Sequence, residues 1–159
     1  MKILISDFVH VILLSRGTLY TGDADKFQAD IHEQGSTFWA LNQLNQPLLT
    51  FIQELLCKKV IFTTGTTHQA PEVVADVAHY FEAVYTTTQI GYSKSDPKSF
   101  KKLCLELECP PHDCFFIDDQ FENVRAAQVA GLTATQYTTV TAAQSAIMQW
   151  YQSDTINQL

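Results

Sequence analysis

Short apolar runs recur along the chain without polar alternation, and each gives way to polar residues just before a helical pattern begins. Ile3, Leu4 and Ile5 with Ser6, then Val60, Ile61 and Phe62, then Phe115, Phe116 and Ile117, are such runs. Unalternated runs of this length read as strands buried on both faces, the environment of a parallel sheet. Val84, Tyr85 and Thr86 form a weaker strand, and residues 133–137 a last one. Between them lie stretches of helical spacing. Pro47 opens a helix whose apolar stripe is Leu48, Leu49, Phe51, Ile52, Leu55 and Leu56, with Lys58 and Lys59 at its carboxyl end. Pro71 starts a helix to about residue 83. Asp96 caps and Pro97 starts one to about residue 108. A further helix spans about residues 121–130 and stops at Gly131, and a closing helix covers residues 142–152. Strand and helix alternate, which predicts a parallel sheet with right-handed crossovers. Residues 15–46 differ in texture: Gly17, Gly22 and Gly35 punctuate two weakly amphipathic segments, residues 25–33 and 36–44, which predicts a small helical insertion.

The polar residues at the strand ends carry the candidate chemistry. Ligands bind at the carboxyl edge of open α/β sheets, and there the strands deliver Asp7 and the adjacent pair Asp118 and Asp119. Neighbouring carboxylates are costly to desolvate without a cation between them, so a hard divalent ion with oxygen ligands, magnesium first, suits them. The competing reading is that Asp119 caps the following helix. Thr63 and Thr64 follow the second strand in a cluster of hydroxyls and backbone amides. That cluster reads either as an anion cradle or as plain turn formers. Lys94 precedes the helix begun by Pro97 and reads as solvated unless it meets the acids.

Composition narrows the class. A chain of 159 residues with 46% hydrophobic and 17% charged positions has the length and apolar content of one folded domain. A net charge of -7 with ten Lys and Arg excludes a basic nucleic-acid surface. The first residues resemble an export signal until Asp7 interrupts the apolar stretch and Ser15, Arg16 and Gly17 stand where small residues would be cleaved. No apolar run is long enough to span a bilayer. The four cysteines, Cys57, Cys104, Cys109 and Cys114, lack the paired spacing of zinc sites and read as core thiols of a reduced, cytoplasmic protein. The five-residue spacing of the last three falls on a helix, a loop and a strand.

Asp7, Thr63 or Thr64, Lys94 before a proline-started helix, and Asp118 with Asp119, in this order and context, resemble the haloacid dehalogenase superfamily. The most specific stretch is Lys94 to Phe100 followed by Phe115 to Gly131. The resemblance implies a three-layer, Rossmann-like α/β fold, one domain over residues 1–159, a central parallel sheet of strand order 5-4-1-2-3, and residues 15–46 as a small helical cap. It also implies that Asp7 attacks phosphorus and carries an aspartyl-phosphate. Thr63 or Thr64 would bind phosphoryl oxygens, and Lys94 would stabilise charge. Magnesium (Mg2+) would lie on Asp7, the Val9 carbonyl, Asp118 and Asp119. A small cap favours a larger phosphorylated substrate or closure by a second subunit.

The chain departs from the pattern at Val9, where family phosphatases carry a second aspartate as general acid and base. If strand geometry continues, His10 points away and does not replace it. Three functions stay open on these residues: a magnesium-dependent phosphohydrolase, a dehalogenase or phosphonatase-type member, and a catalytically silent domain that binds a phosphorylated ligand or a protein.

Overall fold

The computed structural model describes residues 1–16 and 38–156. Its centre is a five-stranded parallel sheet built from β1 (Ile3–Ser6), β4 (Lys58–Thr63), β5 (Ala83–Thr86), β6 (Cys114–Asp118) and β7 (Thr133–Gln136). They lie in the order β5-β4-β1-β6-β7. An antiparallel pair, β2 (Leu13–Ser15) with β3 (Asn42–Leu44), stands apart from this sheet. The labels therefore differ from the expected 5-4-1-2-3, which counted sheet strands alone; the class is as expected.

The unalternated apolar runs have the predicted cause. Leu4, Ile61, Phe115 and Ile117 face one apolar cluster. Ile3, Ile5, Val60, Phe62 and Phe116 face a second, because successive side chains of a strand point to opposite faces. The first cluster is covered by α2 (Gln46–Gln53), α3 (Pro71–Tyr80) and α7 (Val140–Ile156) through Leu48, Leu49, Ile52, Val73, Val77 and Ile147. The second is covered by α5 (Pro97–Glu106) and α6 (Phe121–Val129) through Phe100, Leu103, Ala126 and Ala127. Three layers result.

The expected insertion is only partly visible, because residues 25–33 lie outside the described residues. Residues 36–44 were expected to be weakly helical throughout. Instead α1 (Phe38–Leu41) is a single turn, and the chain then enters β3. The helix fails at Asn42, whose buried Nδ2 donates back to the Phe38 carbonyl at 3.0 Å while its backbone joins the edge of β2 opposite Ser15. Besides β2 and β3, α4 (Thr87–Ile90) is additional, where a loop was expected. Thr86 caps it reciprocally with Gln89, and Gly91 ends it at φ 82.

Candidate functional site

β1 sits between β4 and β6, so its end is flanked by the ends of both neighbours. The ladder with β6 continues one residue past the strand, as the Asp7 N–H donates to the Ile117 carbonyl at 2.9 Å. Asp7 thereby stands beside Asp118. On the other side of β6 the Tyr137 N–H donates to the Asp118 carbonyl, and Gln136 Nε2 to the Asp119 carbonyl, each at 2.8 Å. The backbone carrying the acid pair is held from both sides.

Lys94 joins the two strand ends. Its loop, closed by the Asp96 N–H on the Ser93 carbonyl, leads into α5, where Asp96 caps by accepting from the Lys98 N–H at 2.9 Å. The Lys94 ammonium is buried between Phe62 and Phe116, with Nζ about 6 Å from each ring centroid. It donates to Asp7 Oδ1 and, at 2.9 Å, to Asp118 Oδ2. Lysine is rarely buried without partners, so the solvated-loop reading fails here.

Burial pushes the Asp7 carboxyl up to about 6, with the Asp118 charge adding to the rise and Lys94 opposing it. Burial likewise raises Asp118, against Lys94, the Gln120 N–H and Asn123. Burial disfavours the charged ammonium of Lys94, but Asp7 and Asp118 together outweigh it and its pKa is raised. One oxygen each from Asp7, Asp118 and Asp119 lie within 4.8 Å of one another. An all-oxygen set of this spacing fits a hard divalent cation, and buried carboxylates with one ammonium among them are short of positive charge.

The sequence reading passed over one residue of the site and set another aside. Asn123, on the first turns of α6, is buried and donates Nδ2 to both oxygens of Asp118, at 3.2 and 3.1 Å. Its signal was a position five residues after Asp118, on the helix turn that faces back to the strand end. His10 was expected to point away from the site. The strand ends at Ser6 instead. The next residues turn tightly, with the Ile12 and Leu13 N–H groups donating to the Phe8 carbonyl at 2.9 Å and His10 in the left-handed region at φ 66. His10 Nδ1 thereby reaches Asp119 Oδ2 at 3.3 Å, a hydrogen bond that raises the imidazole pKa against partial burial. Val9 packs its side chain against the apolar cluster under the sheet. Thr63 is buried at the end of β4, beside β1, and Thr64 follows it exposed.

The fold and this cluster define an open α/β protein with a carboxylate–ammonium site where the strand order reverses. The chain belongs to the haloacid dehalogenase-like hydrolases, whose family description matches residues 17–131. That match starts after Asp7, which the β1–β6 pairing brings to the site. Over 64 residues the chain is 36% identical to enolase-phosphatase E1 of Aquifex aeolicus, a stretch covering 40% of this chain and 28% of that protein. A HAD-superfamily hydrolase from Ehrlichia chaffeensis superimposes with a TM-score of 0.64 at 16% identity over 94% of this chain and 98% of that one. A HAD-family enzyme from Bacteroides thetaiotaomicron, in complex with magnesium and inorganic phosphate, gives 0.60 at 17% identity over 87% and 94%. Both are likenesses of fold. Among the described residues no helix is long and apolar enough to cross a membrane.

Proposed function

We propose that the chain is a magnesium-dependent phosphohydrolase for a small phosphorylated substrate, working through an aspartyl-phosphate on Asp7 and slow on esters with poor leaving groups. The observation that carries this is the burial of Lys94 between Asp7 and Asp118 at the switch point. It keeps one Asp7 oxygen oriented and offsets part of the charge that phosphate brings. The magnesium–phosphate complex of the Bacteroides enzyme and the enolase-phosphatase likeness support the same chemistry.

In this reading an Asp7 oxygen bonds to phosphorus as the ester P–O bond breaks, and water later splits the acyl phosphate. Lys94 holds the nucleophile and takes up developing charge. Thr63 or Thr64 donates to phosphoryl oxygens. Asp7, the Val9 carbonyl, Asp118 and Asp119 would hold magnesium, which supplies charge neutralisation when bound. Asn123 keeps Asp118 oriented through both its oxygens. The departing alkoxide needs a proton that Val9 does not carry, and general acid–base help of this kind is typically worth about 10²–10⁴-fold. Residues 15–46 would form a small cap, leaving the site open to a larger substrate or to closure by a second copy of the chain.

Calorimetric titration with magnesium, followed by p-nitrophenyl phosphate turnover, tests the proposal. Binding should appear at millimolar magnesium, weaken in Asp119→Asn, and accompany slow turnover that Asp7→Asn abolishes. A folded chain that neither binds magnesium nor turns over this activated ester would sink it.

A further inference from the structure

Three of the four cysteines gather at the end of the sheet opposite the acids. Cys114 opens β6, which closes on Asp118, about 13 Å away at the usual rise of a strand. α5 ends in a two-bond cap. The Glu108 N–H donates to the Leu105 carbonyl at 3.1 Å and the Cys109 N–H to the Cys104 carbonyl at 3.0 Å, with Glu108 at φ 52. A cap of this type turns the residue after the left-handed position back onto the last helical turn. Cys109 and Cys104 accordingly share one apolar cluster, and Pro110 and Pro111 then lead the chain into Cys114.

The sulfurs are not equivalent. Cys104 Sγ donates to Cys114 Sγ at 3.9 Å. Cys109 Sγ donates to the Met1 carbonyl at 3.3 Å and the Pro110 carbonyl at 3.8 Å, and it also interacts with the Cys114 thiol. Cys114 is fully buried. Cys104 lines an open cavity of about 390 Å³ together with Lys101, Leu105, Glu108, Cys109 and Pro110. Leu105 on its rim is 77% exposed. Cys104 and Cys109, 4% and 7% exposed, border this cavity and Cys114 does not, so a small oxidant meets Cys104 before it meets Cys114.

We propose that Cys104 and Cys114 form a reversible intramolecular disulfide when the protein meets a hydroperoxide, with Cys104 the thiol attacked and Cys114 the thiol that closes the bond. The Cys104 sulfur takes the terminal peroxide oxygen. The O–O bond breaks, an alcohol or water leaves, and a sulfenic acid remains on Cys104. The Cys114 sulfur then bonds to the Cys104 sulfur, the S–O bond breaks, and water leaves with the Cys114 proton. Two thiols lose two electrons and two protons, and the peroxide is reduced by the same two electrons. Closing the pair brings the sulfurs from 3.9 Å to a bond of about 2.05 Å. When Cys104 ionises, Cys114 becomes the donor, which lowers the Cys104 thiol and raises that of Cys114. The bond ties α5, which follows Lys94, to β6, which ends in Asp118.

The test treats the folded full chain with one equivalent of hydrogen peroxide, removes the peroxide, unfolds the chain in denaturant with excess alkylating agent to label the remaining thiols, and maps the peptides by mass. The expected product has lost two hydrogens, carries label on Cys57 and Cys109, links Cys104 to Cys114, and returns to four labelled thiols with dithiothreitol. Cys109→Ala should still form the link, and Cys104→Ala should leave Cys114 labelled. Label on all four cysteines after oxidation overturns the proposal. So does a link through Cys109 or Cys57, or sulfinic acid on Cys104 without a link. The decisive measurement uses the unaltered chain, so the folding of either variant does not affect it.

Discussion

Val9 is a side chain sound for the fold and, under the proposed chemistry, costly for the reaction. It packs on the apolar cluster below the turn that carries Asp7 and His10, so an aspartate there would give up apolar contact. Under the proposed chemistry, Val9→Asp should raise turnover of alkyl phosphates more than that of p-nitrophenyl phosphate. The gain should fall at the low end of the roughly 10²–10⁴-fold range of general acid–base catalysis, since no neighbours are built to hold the new acid. Steady-state rates on the two esters check this, and an equal gain on both would contradict it. Lys94 is more exposed to a stability test than its loop position suggested. With Nζ buried between two carboxylates, Lys94→Ala strands both acids. It should cost on the order of 3–5 kcal/mol by denaturant unfolding without metal, besides lowering turnover. Unchanged stability would mean that water replaces the ammonium at no cost.

At the scale of elements, the strands were legible because their apolar runs are buried on two faces, and the helices because Pro47, Pro71 and Pro97 mark their starts. Asp7, Asp118 and Asp119 were legible as a group through the strand ends that carry them, whereas Lys94, in the loop before α5, joined them only through the family resemblance. His10 was not, because a left-handed turn at φ 66 has no signal in a histidine. β3 was missed because Asn42, Gln43 and Leu44 form a strand only against β2, a pairing across 26 or more residues. The end of α5 was placed two residues late. Glu108 gives no glycine signal for the left-handed cap it occupies. That position offers a stability test: Glu108 is exposed, and Glu108→Gly removes a left-handed backbone strain of about 1–2 kcal/mol. Glycine's greater unfolded-state freedom takes back about 0.5–1 kcal/mol. A net gain of a few tenths to about 1 kcal/mol is expected in urea unfolding, and a loss would show that the Glu108 side chain contributes more than its strain costs.

For the whole molecule, under the proposed metal site the acid cluster sets folding stability against ligand binding, and pH separates the two. The carboxyl of Asp7 is raised from 3.8 to about 6, chiefly by burial. A carboxyl raised on folding contributes stability that is fully present below its unfolded pKa and is lost as pH rises through the folded value. Asp118 is shifted in the same direction, while the raised pKa of Lys94 leaves it charged across this window. The metal-free protein should therefore lose stability between about pH 4 and pH 7, by at most on the order of 3 kcal/mol from Asp7. Other groups also titrate in that range, so the informative quantity is the difference between the unaltered chain and Asp7→Asn. That difference should be small at pH 4, where Asp7 is neutral and resembles asparagine. It should grow in favour of the variant up to pH 7. Under the proposed metal site, magnesium should reverse the order at pH 7.5, raising the midpoint of the unaltered chain by mass action and that of the variant far less, with little effect on either at pH 4. Thermal unfolding at both pH values, with and without magnesium, checks all of this. A difference between the two chains that does not change with pH would show that Asp7 is not held against its own charge.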